Sequence, residues 1–260
     1  MKNFFETEKK INQLKSFNNS IKGFVYLLGQ PLCLICQNII DFDNFNSVEG
    51  ICENCFNSIK SLFENYKRCP ICSAVLVGSV CDKFHHKNIE NVLSLIPLNN
   101  QLYQLYLKAK YRKDKGLMNL FSNIFDFLFP QNIVEQYSNF IDYIVFVPIS
   151  INKKLIRSYN PSKIFAKVLA KKINKPIISV FIEKGFQYFH IQRKENDSSF
   201  AQRFIFKNKF LLNKRIDITN KNILLVDDMY TTGKTASFLA DLLILNNASK
   251  VYLCTFFNHR

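Results

Sequence analysis

The chain has 260 residues, enough for one sizeable core and a smaller module, and its 35 Lys and Arg against 20 Asp and Glu give a formal net charge of +15. That charge suits a polyanionic partner, although a composition rich in Phe, Lys, Asn and Ile, poor in Gly and without Trp reads mainly as the drift of an AT-rich genome, so charge alone establishes no nucleic-acid binding. The early apolar run 24–28 is too short for a signal core, and Pro97, Asp126 and Pro130 interrupt every later one; export and membrane insertion are excluded on this reading, and in the cytoplasm expected instead, eight cysteines point to metal rather than disulfides.

Residues 1–30 read as a polar, basic lead-in with a short helix over 21–28. A cysteine-rich module follows at 31–90. Cys33 and Cys36 form one C-x2-C knuckle, Cys52 and Cys55 another, and fifteen residues separate them. Two such knuckles complete a tetrahedron of thiolates around one zinc ion. Cys69 and Cys72 make a third knuckle, with Cys81 as third ligand and His85 or His86 as the fourth, because no further cysteine follows at the expected spacing. The segment therefore reads as a double zinc ribbon, too small to hold a core without metal.

From residue 91 to Pro130 the pattern is helical, with Leu102, Leu105, Tyr106 and Ala109 recurring at three- and four-residue steps. It predicts a connecting helix and a docking helix over 91–130, opening the main domain at 91–260. Residues 143–149 predict a buried strand that Pro148 ends, and the loop after it carries Lys153, Lys154 and Arg157 with no acid. Asn160 and Pro161 predict a helix start, one as cap and the other in the first turn. On that helix Ile164, Val168 and either Phe165 or Leu169 are expected inside, and Lys163, Lys167 and Lys171 form a solvated stripe. Residues 176–182 predict another strand. The stretch 183–213 lacks periodicity and contains Gln192, Arg193, Lys194, Arg203 and Lys207.

The most informative stretch is 223–235. Ile223, Leu224, Leu225 and Val226 predict a short buried strand, Asp227 and Asp228 sit where it ends, and Thr231, Thr232, Gly233, Lys234 and Thr235 lead into a helix from Ala236 to Leu245. At the carboxyl end of a parallel strand, two carboxylates can accept hydrogen bonds from vicinal ribose hydroxyls while amides at the next helix's start face a phosphate. The plainer reading, Asp and Thr as caps of an ordinary strand-to-helix turn, accounts less well for four parts in this order. A P-loop is disfavoured, since it needs glycine five positions before Gly233, where Asp228 stands. A turn at Asn246 and Asn247 and a final strand over 251–257, with Cys254 inside it, complete the chain.

The 223–235 run resembles the PRPP-binding signature of type I phosphoribosyltransferases. Together with the cysteine pairs, the Leu107-Lys108-Ala109-Lys110-Tyr111 run and Arg157-Ser158-Tyr159-Asn160 after Pro148, the order resembles the ComF family of competence-associated proteins. Lys234 stands where a small residue is usual, and Pro161 replaces a glutamine. The resemblance implies an α/β fold, a type I phosphoribosyltransferase-like parallel sheet flanked by helices behind a small zinc-ribbon module. It implies PRPP or a related phosphosugar bound with Mg2+, the sugar held by Asp227 and Asp228 and the 5′-phosphate by the 231–235 loop. Lys153, Lys154 and Arg157 would meet pyrophosphate, and residues 183–213 would form a mobile hood. Implied partners are single-stranded DNA during DNA uptake, an uptake helicase and other competence proteins. A non-catalytic DNA-binding protein retaining the pocket, or a nucleotide-metabolism transferase of unknown acceptor, are the alternatives.

Overall fold

The computed structural model describes residues 31–40, 48, 50–76, 78, 80–83, 85–149, 157, 159–183 and 210–259. The 21–28 helix, Lys153, Lys154 and the five polar residues expected in the hood lie outside them. The chain divides into two compact units, Met1–Ser58 and Ile59–Arg260.

In the first unit the Cys33 knuckle folds back on itself. Leu32 and Ile39 form an antiparallel bridge, the Cys33 amide donates to the Asn38 carbonyl at 2.7 Å, and the Gln37 amide donates to that of Cys33 at 2.9 Å. Gln37 takes a φ of 63° to close the turn. Thirty-six residues on (69 − 33), the second unit repeats the device: Arg68 bridges Val75, the Cys69 amide reaches the Ala74 carbonyl and the Ser73 amide that of Cys69, both at 2.9 Å, and Ser73 has a φ of 55°. Helix α1 (Glu53–Glu64) carries Cys55 in its first turn.

The second unit is built on a five-stranded sheet. Its strands are β1 (Val92–Pro97), β2 (Tyr143–Phe146), β3 (Ile177–Ile178), β6 (Asn222–Tyr230) and β7 (Lys250–Asn258), in the order β1-β7-β6-β2-β3 and parallel throughout. A parallel sheet covered on both faces needs apolar residues on both, and Ile223, Leu224, Leu225 and Val226 of the central β6 are all fully buried. Ile223 and Leu225 share a cluster with Leu239 and Leu243 of α6 (Lys234–Leu245) and with Cys69 and Cys72. Alternation along the strand sends Leu224 and Val226 to the other face. An aromatic layer lies against β7 in this unit: Phe125 of α3 (Lys115–Leu128) stacks on Phe165 of α5 (Pro161–Ile173) at 4.7 Å between centroids, and Phe165 on Phe256 at 5.4 Å. Helices α2 (Asn100–Tyr111) and α4 (Gln131–Phe140) complete the set. A separate antiparallel pair joins β4 (Phe181–Glu183) to β5 (Phe210–Leu212).

Several expectations are corrected. Residues 92–97 are strand, not helix: Val92, Leu95 and Ile96 are buried where β1 pairs with β7, and the helical period begins only after the Asn99 cap. The 176–182 stretch is two strands in two sheets, because β3 pairs with β2 while β4 pairs with β5. On α5, Phe165, Ala166, Leu169 and Ile173 face the core, and Ile164 and Val168 are only half-buried. The β6 strand also runs past its two acids to Tyr230, since Asp227 opposes Thr255 and Met229 opposes Phe257 in the β7 ladder. Asn160 does cap α5, and Lys163, Lys167 and Lys171 are exposed. Cys254 is fully buried, as expected of a small apolar residue. Among the described residues no helix is long and apolar enough to cross a membrane.

Candidate functional site

The two acids of β6 are held by different helices. Asp227 Oδ1 accepts from the Ser162 hydroxyl at 2.9 Å and from the Asp228 amide at 2.8 Å. Ser162 reaches it because Asn160 fixes the start of α5: its Oδ1 accepts from the Ser162 amide and its Nδ2 donates to the Val147 carbonyl, both at 3.0 Å. Asp228 Oδ2 accepts from the Tyr106 hydroxyl at 2.6 Å and is ion-paired with Lys110 Nζ. Tyr106 and Lys110 lie four residues apart on one face of α2. Tyr106 is fully buried, with its ring 5.2 Å from those of Phe121 and Phe257.

These contacts split the acidities of the pair. Burial opposes ionisation of Asp228, but the Lys110 charge and the hydrogen bonds from Lys110 and Tyr106 outweigh it and draw its carboxyl down to about 2. For Asp227, burial and then the neighbouring Asp228 charge act together and push its carboxyl up to about 8. Near neutral pH the pair therefore holds one full negative charge and one exchangeable proton. A cation or a hydroxyl donor that prefers the dianionic pair must displace that proton, so its affinity rises with pH until Asp227 is ionised.

Of the basic loop, Arg157 is buried. Its Nη2 donates to the Tyr111 hydroxyl at 2.7 Å and its guanidinium lies 4.5 Å over the Tyr111 ring. Its Nε is buried without a hydrogen-bond partner among the described residues. Tyr159 donates to the Ala109 carbonyl, which docks the end of this loop on α2.

After Tyr230 the chain turns through exposed Thr231 and Thr232 to Gly233, whose φ of 73° and ψ of 0° place it in the left-handed region as N-cap of α6. The Lys234 amide approaches Thr232 Oγ1 at 3.4 Å, Lys234 is exposed and Thr235 half-buried. Helix α6 thus starts two residues earlier than expected, and its first-turn amides follow the turn that leaves β6.

Both cysteine sets converge. In one, ligand atoms of Cys33, Cys36, Cys52 and Cys55 all lie within 4.8 Å of one another, with Cys36 and Cys52 sulfurs 3.6 Å apart. In the other, Cys69, Cys72, Cys81 and His85 meet the same limit, with Cys72 and Cys81 sulfurs 3.7 Å apart and Cys69 Sγ 3.4 Å from His85 Nε2. Four ligands at about 2.3 Å from a central ion have tetrahedral edges of about 3.8 Å, whereas a disulfide needs about 2.05 Å. The geometry fits a metal ion in each. Burial raises the Cys33 and Cys69 thiols, yet backbone amides prevail: those of Cys36, Cys52 and Ile35 hold Cys33 at about 7, and those of Cys72 and Ile71 hold Cys69 at about 7. Of the two histidines open for the fourth position, His85 is the one that lies with the three cysteines. His86 turns instead to the Thr232 carbonyl, 3.3 Å from its Nε2.

Sequence reasoning gave Ser162, Tyr106 and Lys110 no role at the acid pair and weighed His86 only as a metal ligand. The i, i+4 spacing of Tyr106 and Lys110 beside core-facing Ala109 was the one available signal for two of them.

The chain is similar to several known proteins. Residues 161–260 match the family model of the phosphoribosyl transferase domain. The chain is 24% identical over 243 residues to competence protein ComFC of Bacillus subtilis (strain 168), covering 87% of this chain and 93% of that protein. The resemblance to ComF proteins is thus borne out along most of the sequence, as is the phosphoribosyltransferase-like sheet with cysteine clusters able to form a metal-binding module. Among solved structures, a hypoxanthine phosphoribosyltransferase of Staphylococcus aureus matches at 16% identity and a TM-score of 0.33, over 53% of this chain and 62% of that one. A purine phosphoribosyltransferase of Pyrococcus horikoshii matches at 11% identity and a TM-score of 0.30, over 53% of this chain and 82% of that one.

Proposed function

We propose that this chain is a cytoplasmic, PRPP-binding, phosphoribosyltransferase-like protein that works with single-stranded DNA during DNA uptake. The observation that carries the reading is the acid pair two residues before the carboxyl end of β6, followed within five residues by a left-handed glycine that opens a helix start. Similarity to a competence protein supplies the biological setting. Zinc at both cysteine clusters fits the sulfur-rich ligand sets and a reducing compartment.

In this reading Asp227 and Asp228 hold the ribose hydroxyls, and Mg2+ bound with PRPP supplies charge neutralisation at the diphosphate. Ser162 and Lys110 orient the two carboxylates. Amides and hydroxyls of residues 231–235 receive the 5′-phosphate. In the same reading Arg157, Lys153 and Lys154 offset the charge of the departing pyrophosphate.

A second reading is favoured by the buried ion pair: Asp228 already receives Lys110 and Tyr106 on one oxygen, a geometry that suits a retained binding site better than one rearranging in each turnover. The two readings part on pyrophosphate release. Sustained release from Mg2+–PRPP with nucleobase acceptors, abolished in Asp227→Asn, identifies a transferase of base acceptors. Binding without release identifies a strand-binding protein that senses PRPP.

The DNA part of the proposal rests on the +15 net charge and the exposed Lys163, Lys167 and Lys171 stripe. Single-strand affinity is expected to fall steeply with salt, by a slope of about 0.7 per phosphate neutralised on a log–log plot. A flat salt response removes the electrostatic argument.

A further inference from the structure

The glycine of the phosphate loop is commonly understood as room for a ligand. In this chain the space beside it is already filled by protein. A Cβ at Gly233 would collide with the ring of His86 and would come within 2.7 Å of Tyr230 Cε2. The two rings meet edge to face, 6.4 Å between centroids.

The contact has a direct consequence for the loop. His86 Nε2 lies 3.3 Å from the Thr232 carbonyl oxygen, which requires the ring proton on Nε2. Across a planar trans peptide, the Thr232 carbonyl and the Gly233 N–H point in opposite directions. Fixing the carbonyl toward His86 therefore fixes the Gly233 N–H on the opposite side, and the left-handed Gly233 carries that orientation into the first turn of α6. Loose, this peptide plane could rotate and present its carbonyl, which repels an anion, where its amide should be.

His86 is itself well anchored. The preceding residue, His85, belongs to the second ligand cluster with Cys69, Cys72 and Cys81. Two residues on, Asn88 Nδ2 donates to Asp241 Oδ1 of α6 at 2.7 Å. The Ile89 amide donates to the His86 carbonyl at 3.1 Å, and Ile89 is buried in the sheet-side core. One end of the ring's backbone is thus tied to the cysteine cluster, and the other to the helix that the loop opens.

We propose that His86 is a positioning residue of the phosphate loop: the second cysteine–histidine cluster presents it so that the 232–233 peptide points its N–H at a bound phosphate ester. The inference rests on the phosphosugar reading of the loop, and it assigns the cluster a task beyond holding its own segment together.

The test uses the full-length, metal-loaded chain and ribose 5-phosphate, which carries the monophosphate without the diphosphate. Calorimetry gives its affinity for wild type, His86→Ala and His86→Gln, with elemental analysis of each. The expected result is a roughly three- to tenfold weaker affinity in His86→Ala, the size of one lost hydrogen bond, with metal content unchanged. His86→Gln, whose amide N–H can still reach the Thr232 carbonyl, stays within about threefold of wild type on the same argument. If wild type binds and His86→Ala binds equally well, the positioning role is wrong while the phosphosugar reading stands. Equal losses in Ala and Gln, or loss of metal from His86→Ala, also overturn it. If wild type fails to bind ribose 5-phosphate and PRPP alike, both the inference and the reading beneath it fall.

Discussion

Asp228→Ala destabilises the second unit by about 3–5 kcal/mol, as expected when one member of a buried ion pair is removed and the other stays behind. Lys110 and Asp228 side chains are only 13% and 12% exposed, so the stranded ammonium has little water to turn to. The Tyr106 hydroxyl, buried completely, loses its acceptor as well. Urea unfolding measures the effect, and a loss under about 1 kcal/mol would mean that the pair is hydrated and weak. Adding Lys110→Met to the variant recovers much of the loss, because the uncompensated charge goes with it. The pH dependence has a definite sign. Asp228 is depressed in the folded chain, so its contribution is complete above the ordinary carboxylate range and disappears as pH falls toward about 2. The gap between wild type and Asp228→Asn therefore closes in acid, not in base.

Metal removal has the other large effect. Cys69 and Cys72 belong to the same core cluster as Val92, Leu225 and Leu239, so the second ligand set is part of the unit's interior. Structural zinc sites bind with apparent free energies of about 10–16 kcal/mol, which becomes folding free energy when the unfolded chain has no preformed site. A loss of even about 4 kcal/mol lowers the thermal midpoint by roughly 10 °C or more in a unit of this size. Elemental analysis is expected to return two zinc ions per chain, Cys72→Ser to return one, and a strong chelator to lower the midpoint by at least that amount. An unchanged midpoint in demonstrably metal-free protein would show that the clusters are ordinary packed thiols.

What the sequence made legible was local. Four consecutive apolar residues before Asp227 have no better home than a central parallel strand, and paired C-x2-C knuckles at zinc spacing have few other uses. Asn160 next to Pro161 specified a helix start, and that cap turned out to deliver Ser162 to Asp227. What stayed hidden was set by distance along the chain. Residues 92–97 carry Ser94 and Pro97, which blur a strand's signature, and only pairing with β7, more than 150 residues away, makes them an edge strand. Ser94 is reconciled to its burial by Thr255, whose hydroxyl lies 2.6 Å from its own. Lys110 was legible only as part of the Leu107–Tyr111 run, because nothing near it in sequence reveals its partner; Asp228 lies 118 positions on. On α5, Ile164 and Phe165 are both apolar neighbours, and the aromatic stack with Phe125 and Phe256 decides which one turns inward. The choice between His85 and His86 had the same character: adjacent, chemically identical residues were separated only by what each one meets in space.

Calorimetric titration with Mg2+–PRPP addresses the acid pair and the 231–235 loop at once. Wild type is expected to bind, with affinity tightening as pH rises from 6 to 8 because the proton on Asp227 must leave. Asp227→Asn is expected to weaken binding by roughly ten- to a hundredfold, the worth of a charged hydrogen-bond acceptor, and to lose that pH dependence. Absence of binding by wild type at millimolar PRPP, or an Asp227→Asn variant that binds as tightly with the same pH profile, would contradict the assignment of this site to a phosphosugar.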